Sequence, residues 1–466
     1  MTQSGVAVFD SVLCGNLVLP DGLLRGGWLA VRDGRIAAVG LGAPPAAATC
    51  IDHGEHWLLP GVIDGQVHAC SWRGYDGIES TTRSAVAGGV TTIVDMPYDD
   101  PEPLTTVQRL EIKIEAIDRL AHCDVALYAT LSKDQPASEI AALARAGVCA
   151  IKISSFENHP SRFPRIESDQ MLCILEAAAE AGIVVGLHNE DQAIVRAATA
   201  RLKDSGRLDI AAHSPSRPEA AEMSATAQFL ELGSATGAHT HIVHLSTPRG
   251  FDLVTQYRQS GQAATAEMCV HYLLLDAEAD GPRLGALMKV NPPIRAGRRE
   301  ALWQALEAGQ VDFVSSDHSG WPLERKRKAS IFDVSAGVPG LETLLPAFFT
   351  GAMQSDDSPS ATDASLRLCA KYLSESPARF FGLWPRKGAL AIGAEADVAV
   401  VELGDRVYDS ALAHDELNWS PFDGTSFALQ VRTTYLRGKT AFHDGRVVSS
   451  PGVGRFCPRR DIRPAA

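Results

Sequence analysis

The chain has 466 residues, of which 45% are hydrophobic, and its formal net charge is −13. A chain of this length can bury a large core, so we expect one large domain and a smaller one. The acidic balance argues against a nucleic-acid or anionic-membrane partner, because no long block of lysine and arginine offsets it. The one basic patch, Arg325 to Lys328, is predicted to be a solvated loop.

The cysteines and the apolar segments bear on where the protein works. Nine cysteines are scattered without a CxxC pair, and the first residues lack the basic-then-apolar pattern of a signal peptide. We therefore expect free thiols and a cytoplasmic location. No apolar stretch of the sequence is long and uninterrupted enough to span a bilayer.

In chain order, three regions differ in their pattern. Residues 1–57 carry short alternating β patterns with turn signals, and residues 386–466 repeat that style and end in a tail. Residues 58–385 hold eight apolar segments typical of buried strands, separated by segments of helical periodicity that close on glycine. The eight segments are 58–68, 89–97, 123–131, 148–154, 183–190, 240–247, 262–269 and 311–319.

This order predicts an α/β fold, in which a (β/α)8 barrel is joined to a small β-sandwich domain formed by both termini. A doubly wound open sheet is the alternative, but no glycine-rich phosphate loop follows an early strand. In barrels of this kind, the chemistry takes place where the strands meet their following loops.

Five of the strand segments end in side chains that can bind a metal ion. These are Gln66 and His68, Lys152, His188, His244 and Asp317. Side chains two apart on a strand share a face, so Gln66 and His68 are expected to point together into the barrel. A single buried histidine is more often a satisfied core residue than a ligand, but several at the same end of successive strands reverse those odds. His239 and His241 are out of phase with His244 and are predicted to be surface or bottom-face residues.

Lys152 lies between Ile151 and Ile153 in an apolar strand, where burial of its charge costs on the order of several kcal/mol. Burial therefore favours the neutral amine, which can capture carbon dioxide as a carbamate able to bridge two divalent cations. A lysine that reaches solvent or pairs with an acid is the alternative.

Motifs along nearly the whole chain point to one family. They include LLPGVIDGQVH (58–68), AGGVTTIVDMP (87–97), SRPEAAE (216–222), IVHLST (242–247), KVNPPIR (289–295), SSDHS (315–319) and PARFFGLWPRKGALAIGAEADVAVVE (377–402). With the Lys152 strand, they resemble the amidohydrolase superfamily in its cyclic-amidase branch of dihydroorotases, hydantoinases, dihydropyrimidinases and allantoinases. The resemblance implies two divalent metal ions, usually zinc, with manganese, cobalt or iron as alternatives, and a carboxylated Lys152 that bridges them.

The same resemblance implies residue roles. His68 and Asp317 would bind one metal ion, and His188 and His244 the other. A hydroxide held between the ions would attack the carbonyl of a cyclic amide, while Asp317 accepts the water proton and passes it to the leaving ring nitrogen.

His318 and Tyr272 are weaker candidates for contacts to the substrate carbonyl or oxyanion, and support of the ligands is an equal alternative for both. Asn291 and the backbone of Ala336 and Gly337 are expected to line the ring pocket, as the corresponding segments do in relatives. Two loop arginines are candidates to bind an acidic substrate group, although exposed arginines usually contribute little. They are Arg73 and Arg162.

One position departs from the family pattern, because the usual HxH of the first strand is here Gln66-Val67-His68. A glutamine carbonyl oxygen is a harder and weaker donor for zinc than imidazole. Three consequences are open: Gln66 binds weakly, the first metal ion keeps fewer protein ligands, or that site is empty. We expect a working site, since His68, Lys152 and Asp317 remain.

The positions that set the substrate in relatives mostly exclude candidates. Dihydroorotases carry an arginine where Cys70 stands and an asparagine where Tyr98 stands. Hydantoinases and dihydropyrimidinases carry a tyrosine where Glu157 stands. The nearest local likeness is to allantoinases, so an allantoin- or hydantoin-like ring is the expected substrate.

Two classes of function stay open. The first is a metal-dependent hydrolase of a ring amide, with dihydropyrimidinase- or dihydroorotase-like opening of a lactam or cyclic imide as a variant. The second is a non-catalytic scaffold, because this branch includes relatives that have lost ligands; retention of Lys152, His188, His244 and Asp317 favours the enzyme. Relatives commonly form dimers or tetramers, so a homodimer or homotetramer is expected.

Overall fold

In the computed structural model, which describes residues 9–354 and 356–460, a parallel barrel lies against a sheet built from both ends of the chain. The strands are β1 (Phe9–Leu19), β2 (Gly22–Arg32), β3 (Arg35–Leu41), β4 (Ala47–Pro60), β5 (Val62–His68), β6 (Val90–Asp95), β7 (Asp124–Ala129), β8 (Ala150–Ser154), β9 (Val184–His188), β10 (Thr240–Ile242), β11 (Ala264–Ala266), β12 (Met268–Cys269), β13 (Val314–Ser315), β14 (His318–Ser319), β15 (Val398–Val407), β16 (Ser426–Leu436), β17 (Lys439–His443) and β18 (Arg446–Val447). The α-helices are α1 (Gly77–Ala87), α2 (Val107–Leu120), α3 (Glu139–Arg145), α4 (Ser168–Ala181), α5 (Gln192–Asp204), α6 (His213–Ser216), α7 (Glu219–Thr236), α8 (Pro248–Gln259), α9 (Val270–Leu274), α10 (Gly281–Leu284), α11 (Arg299–Glu307), α12 (Leu344–Met353), α13 (Pro359–Ala370) and α14 (Ser376–Phe380).

Strands β5 to β11 pair in parallel and in chain order. The last barrel strand is split, because β13 pairs with β12, Val314 opposite Met268, and β14 pairs with β5, His318 opposite Val67. This pairing closes the circle, and each of the eight predicted strand segments contains a barrel strand. The predicted (β/α)8 barrel is confirmed, and the open sheet is excluded.

Alternation along the barrel strands separates an outer apolar cluster from an inner one. On β8, Ile151 and Ile153 belong to the cluster shared with the surrounding helices, whereas Ala150 belongs to the inner cluster. Lys152 shares a face with Ala150 and therefore points into the barrel. The same alternation on β9 turns His188 inward.

Helix α4 shows how the outer layer packs. Met171, Ile174, Leu175 and Ala178 are buried, at the three- and four-residue spacing of one helix face. The helix ends at Gly182, whose φ of 61° lies in the left-handed region that favours glycine. Within the described residues, no helix combines the length and the apolar character needed to cross a membrane.

The second sheet has the strand order β18-β17-β16-β15-β4-β1-β2-β3. Its two halves meet at the antiparallel pair β4 and β15, where Leu58 lies opposite Val400. Strands from both termini share a separate apolar core that includes Leu13 and Val398. The predicted β-sandwich of both termini is confirmed. The limit predicted between residues 57 and 58 falls within β4, and the one between 385 and 386 falls in the segment before β15.

Lys387 is buried at the junction of the two domains. Its Nζ lies 2.7 Å from Asp124 Oδ2, 2.8 Å from Glu395 Oε2 and 2.6 Å from Asp397 Oδ2. Asp124 is the first residue of β7 and also pairs with Arg437 at 2.6 Å. These ion pairs tie the amino-terminal end of the barrel to the terminal sheet.

After β18 the chain returns to the same end of the barrel. Val125 N donates to Arg455 O at 3.0 Å, and Cys457 N donates to Val125 O at 2.8 Å. Arg459 N donates to Gly147 O at 3.0 Å. The barrel's amino-terminal end is therefore covered by structure, while the opposite end carries the loops.

Candidate active site

The carboxyl-terminal ends of the barrel strands surround a cavity of about 510 Å³. All six residues predicted as metal ligands line it: Gln66, His68, Lys152, His188, His244 and Asp317. Gln66 and Asp317 are 251 positions apart in sequence, yet their side chains are in contact. The closed barrel therefore brings the predicted strand ends to one place.

A first group of side chains centres on Asp317. Its Oδ1 accepts a hydrogen bond from Gln66 Nε2 at 2.9 Å and lies 3.3 Å from His68 Nε2. Burial opposes ionisation of Asp317, but the contact with His68 outweighs it and holds the pKa of this carboxyl below its usual value. Asp317 is therefore an anion at neutral pH.

His188 and His244 form a second group. His188 Nδ1 and His244 Nε2 are 3.0 Å apart, and His188 Nε2 lies 2.9 Å from Glu190 Oε2. Burial lowers the pKa of His188 and takes that of His244 well below its usual value. Both rings are therefore neutral at pH 7, which is the form in which imidazole binds a metal ion.

Lys152 lines the cavity together with both groups. Burial lowers its pKa to about 8, against the attraction of the Glu267 and Asp317 carboxylates. In the described part of the chain, its Nζ has no hydrogen-bond or ion-pair partner. An amine of this kind is partly neutral near pH 7 and is free to react or to bind.

Backbone strain is concentrated on two of these residues. His244 has a φ of 39° and Asp317 a φ of 50°. Both lie in the left-handed region, which residues with a Cβ adopt at a cost of about 1–3 kcal/mol each. The barrel therefore holds two strand-end side chains in directions that relaxed strands would not give them.

Buried polar atoms without a partner mark the same place. Among the described residues, Gln66 Oε1, His244 Nδ1 and both carboxylate oxygens of Glu267 are buried and have no hydrogen-bond partner. Buried polar atoms normally have one. Imidazole nitrogens and carboxylate oxygens are donors that suit zinc and similar divalent cations. The residues present therefore fit a metal site.

Asp64 supports the first group and was missed by the sequence reasoning. Its Oδ1 accepts a hydrogen bond from Ser316 N at 3.0 Å, and its Oδ2 accepts one from the Ser316 hydroxyl. These bonds fasten the segment that carries Asp317 to β5. Asp64 precedes Gln66 by two positions on the same strand, so the alternation that selected Gln66 and His68 contained the signal.

Glu190 and Arg217 support the second group, and they were also missed. Arg217 Nε lies 3.4 Å from Glu190 Oε1 and donates to Asn291 Oδ1 at 2.9 Å. The pair therefore connects His188 to the predicted ring pocket. Glu190 follows His188 by two positions, so the strand alternation indicated it. Glu267 is a charged residue in an apolar segment, which is the same pattern that indicates Lys152.

The predicted ring contacts Asn291, Ala336 and Gly337 line the cavity. Gly337 N donates to Lys289 O at 2.9 Å, and Ala336 O accepts from Trp321 Nε1 at 2.8 Å. The backbone of this wall is therefore fixed by internal hydrogen bonds.

Tyr272 and His318 lie behind the cavity wall. The buried Tyr272 hydroxyl donates to Pro292 O at 2.8 Å, next to Asn291. His318 Nδ1 accepts from Gly340 N at 3.1 Å. Both side chains therefore form hydrogen bonds with backbone segments, and their role toward a substrate stays a prediction.

The two candidate arginines are placed differently. Arg162 lines the main cavity, donates to Ser71 O at 3.2 Å and pairs with Asp100 at 3.1 Å. Arg73 lines a smaller neighbouring cavity of about 190 Å³ and pairs with Glu416 at 2.8 Å. Only Arg162 therefore shares the cavity of the metal-ligand candidates.

The prediction of a solvated loop from Arg325 to Lys328 is wrong for its first two residues. Lys326 is 2% exposed, and its Nζ donates to Ser335 O at 3.0 Å and to Gly337 O at 2.9 Å. The Arg325 guanidinium lies over the ring of Trp72. Backbone carbonyls that point into the protein need hydrogen-bond donors. In this loop the Lys326 ammonium supplies them to Ser335 O and Gly337 O.

Other polar clusters in the barrel have structural partners. His239 and His241 lie at the start of β10, and each contacts Thr265 Oγ1 at 3.0 Å. Two buried acidic groups have ligand-like spacing, but each contains a lysine ammonium, Lys113 in one and Lys387 in the other. The groups are Cys70, Asp95 and Asp99, and Asp124, Glu395 and Asp397.

The cluster of candidate ligands at the strand ends of a closed barrel agrees with the comparison with known families. The model of the family described as "Amidohydrolase family" matches residues 57–441. The chain belongs to the amidohydrolase family. Relatives of this amidohydrolase include an L-hydantoinase of Paenarthrobacter aurescens, 32% identical over 96% of this chain and 97% of that protein. An allantoinase of Rubrobacter xylanophilus is 34% identical over 98% of this chain and 99% of its own.

Solved structures give the same family. The amidohydrolase superposes on the L-hydantoinase (dihydropyrimidinase) from Arthrobacter aurescens with a TM-score of 0.91 and 30% identity, covering 97% of this chain and all of that one. A D-hydantoinase structure gives a TM-score of 0.88 at 26% identity, with 97% and 99% covered. The predicted cyclic-amidase branch is confirmed, and with it a hydrolase acting on carbon–nitrogen bonds of cyclic amides.

Proposed function

We propose that this amidohydrolase uses metal ions to open an allantoin- or hydantoin-like ring. The observation that carries the proposal is one cavity in which Lys152 meets both the Asp317 group and the pair of His188 and His244. The names of the relatives, an L-hydantoinase and several allantoinases, support this type of ring.

Divalent metal binding is general in the amidohydrolase family. We propose two ions, zinc first and manganese, cobalt or iron as alternatives. His68 and Asp317 would hold one, His188 and His244 the other, and a carboxylated Lys152 would bridge them. When bound, such ions polarise a carbonyl and lower the pKa of water.

Asp317 is the catalytic base in this proposal. Its carboxylate accepts a proton from the water whose oxygen adds to the ring carbonyl carbon. It then returns the proton to the ring nitrogen as the carbon–nitrogen bond breaks, which leaves a carboxylic acid that loses its own proton to solvent at neutral pH. Asn291 and the backbone at Gly337 would orient the ring, and Arg217 holds the Asn291 amide in place.

Activity tests address the ring and the roles of the residues together. A panel of allantoin, hydantoins, dihydropyrimidines, lactams and cyclic imides is assayed with wild-type protein, Lys152→Ala, Asp317→Ala and the exposed control Lys328→Ala. We expect turnover of an allantoin- or hydantoin-type ring, a loss of about 100-fold or more in both site variants, and no loss in the control. Unchanged turnover in both site variants would show that the mechanism is wrong.

Metal content tests the doubtful role of Gln66. Its Nε2 faces Asp317, which leaves only the weakly donating Oε1 for a metal ion. Plasma mass spectrometry on protein purified without chelators should give about two ions per chain if Gln66 is tolerated. One or none would mean a mononuclear hydrolase or a non-catalytic scaffold, and Gln66→His would then be expected to raise the metal content.

Quaternary structure and location remain part of the proposal. We propose a homodimer or homotetramer working in the cytoplasm on a small-molecule substrate. Light scattering on the purified protein tests the subunit number, and a single-chain mass would contradict it.

A further inference from the structure

The charged side chains that line the cavity are unbalanced. Its lining contains one carboxylate, Asp317, and six basic side chains. These are Lys152, Arg162, Lys203, Arg217, Lys289 and Arg325. Arg162 pairs with Asp100 and Arg217 with Glu190, so acids outside the lining neutralise two of them. Lys152 belongs to the metal-ligand candidates, and burial lowers the pKa of Lys289 to about 7, so neither is counted as a full cation. Lys203 and Arg325 still outnumber the one carboxylate of the lining, which favours an anionic guest.

Arg325 contributes to that excess without an acidic partner. Among the described residues, no carboxylate lies within ion-pairing distance of its guanidinium, and no residue accepts a hydrogen bond from it. A guanidinium carries five donors in a planar fork that matches the two oxygens of a carboxylate. The donors of Arg325 are therefore available to a ligand.

Two indoles hold Arg325 in position. Its guanidinium carbon lies 4.1 Å from the centre of the Trp72 ring and 5.1 Å from that of Trp321, and the two rings are 6.0 Å apart. Stacking on aromatic rings leaves the edge of a guanidinium free while it restricts the side chain. Less conformational freedom is then lost when a ligand binds.

The position of Trp321 connects Arg325 to the proposed ring site. Trp321 Nε1 donates to Ala336 O at 2.8 Å, beside Gly337, where the ring is proposed to bind. The Arg325 guanidinium packs against the Trp321 ring, so one side chain separates it from the backbone of Ala336 and Gly337. A group that reaches it must therefore extend from the ring and cannot be part of the ring itself.

We propose that Arg325 determines specificity by binding a carboxylate carried on a side chain of the ring amide. The inference rests on the proposed ring-opening function and narrows its substrate class to cyclic ureides with an acidic substituent. Such a substrate would place the ring between Asp317 and Gly337 and its carboxylate against the edge of the Arg325 guanidinium.

The test compares two probes that differ in charge alone. Hydantoin-5-propionic acid and its primary amide have nearly the same size and shape. Binding by calorimetry and kcat/KM are measured for wild-type protein, Arg325→Gln, Arg325→Lys and the exposed neighbour control Arg327→Gln. We expect wild type to favour the acid at least tenfold, Arg325→Gln to remove that preference, and Arg325→Lys to retain part of it.

Each outcome is decisive. Equal binding of acid and amide by wild type would overturn the proposal, as would a preference that survives in Arg325→Gln or disappears in Arg327→Gln. If wild type binds the acid selectively but opens neither ring, the proposed function fails while the assignment of Arg325 stands. Selective binding therefore tests Arg325, and turnover tests the chemistry.

Discussion

Two buried lysines at opposite ends of the barrel are compensated very differently. Lys387 is surrounded by three carboxylates within 2.8 Å, and although burial lowers the pKa of an amine, these neighbours raise that of Lys387 well above its usual value. Among the described residues, no carboxylate forms an ion pair with Lys152, and burial lowers its pKa to about 8. The first lysine joins two domains through ion pairs, while the second lines the cavity of the proposed active site.

The largest effect on the free energy of unfolding is expected when Lys387, the lysine with three carboxylate neighbours, is replaced. Lys387→Met leaves Asp397 buried without its cation, while Asp124 keeps Arg437 and Glu395 keeps Arg455. Loss of a buried cation from such a cluster costs about 3–5 kcal/mol in the free energy of unfolding. Urea unfolding at pH 7 measures the loss. The exposed Lys328→Met serves as the control, and a loss no larger than that control would refute the structural role of Lys387.

A smaller effect is expected from Glu267, whose carboxyl oxygens have no hydrogen-bond partner in the part of the chain that the structure describes. Burial raises its pKa to about 8, despite the nearby Lys152. Between about pH 4.5 and 8 the folded chain therefore keeps a proton that the unfolded chain has lost, so this group lowers stability as pH rises.

The glutamine of Glu267→Gln cannot ionise, so this variant should lose less stability than wild type as pH rises. In metal-free protein, the fall in unfolding free energy from pH 5 to pH 8 should be smaller by at least about 1 kcal/mol than in wild type. The exposed Glu176→Gln on α4 should leave the pH dependence as it is. A variant that follows the wild-type curve would mean that Glu267 ionises normally.

Replacement of Lys152 should change the free energy of unfolding less than either of the changes above. Lys152→Met nearly keeps the side-chain volume and removes a buried amine for which the described residues offer no ion pair, so the unfolding free energy should change by less than about 1 kcal/mol. The same urea series measures it. A loss of unfolding free energy equal to that of Lys387→Met would contradict the contrast between the two lysines at opposite ends of the barrel.

The smallest effect is expected at the surface. Arg25 pairs with Asp363 at 2.7 Å, but its side chain is 58% exposed. Arg25→Gln should therefore cost less than about 0.5 kcal/mol, and less again in 0.5 M salt. A cost above 1 kcal/mol would show that exposed pairs of this chain matter as much as buried ones.

The sequence was sufficient for the barrel because its strands are long apolar runs with a regular helical spacing between them. The six ligand candidates could be chosen because each is a polar residue at the end of such a run. Sequence could not show that Gln66 donates to Asp317, since the contact depends on closure between the first and last strands.

The supporting residues were harder to predict for a different reason. Asp64 and Glu190 lie two positions from predicted ligands, but that spacing does not show what they contact. Arg217 has an ordinary sequence context, and all three roles arise from partners that the fold brings together. A basic run is usually exposed, which predicts solvent around Lys326, whereas the loop folds back and backbone carbonyls surround the ammonium. Long-range hydrogen bonds of this kind have no local signature.

The pairing of β4 with β15 has a consequence for synthesis on the ribosome. Strand β4 ends at Pro60, but the strand beside it begins at Val398, so one edge of β4 has no neighbour until most of the polypeptide has emerged. Contacts that are distant in sequence form slowly and leave intermediates open to aggregation. The domain that is translated first is therefore completed last, and a nascent chain stopped before β15 would expose that edge to other molecules.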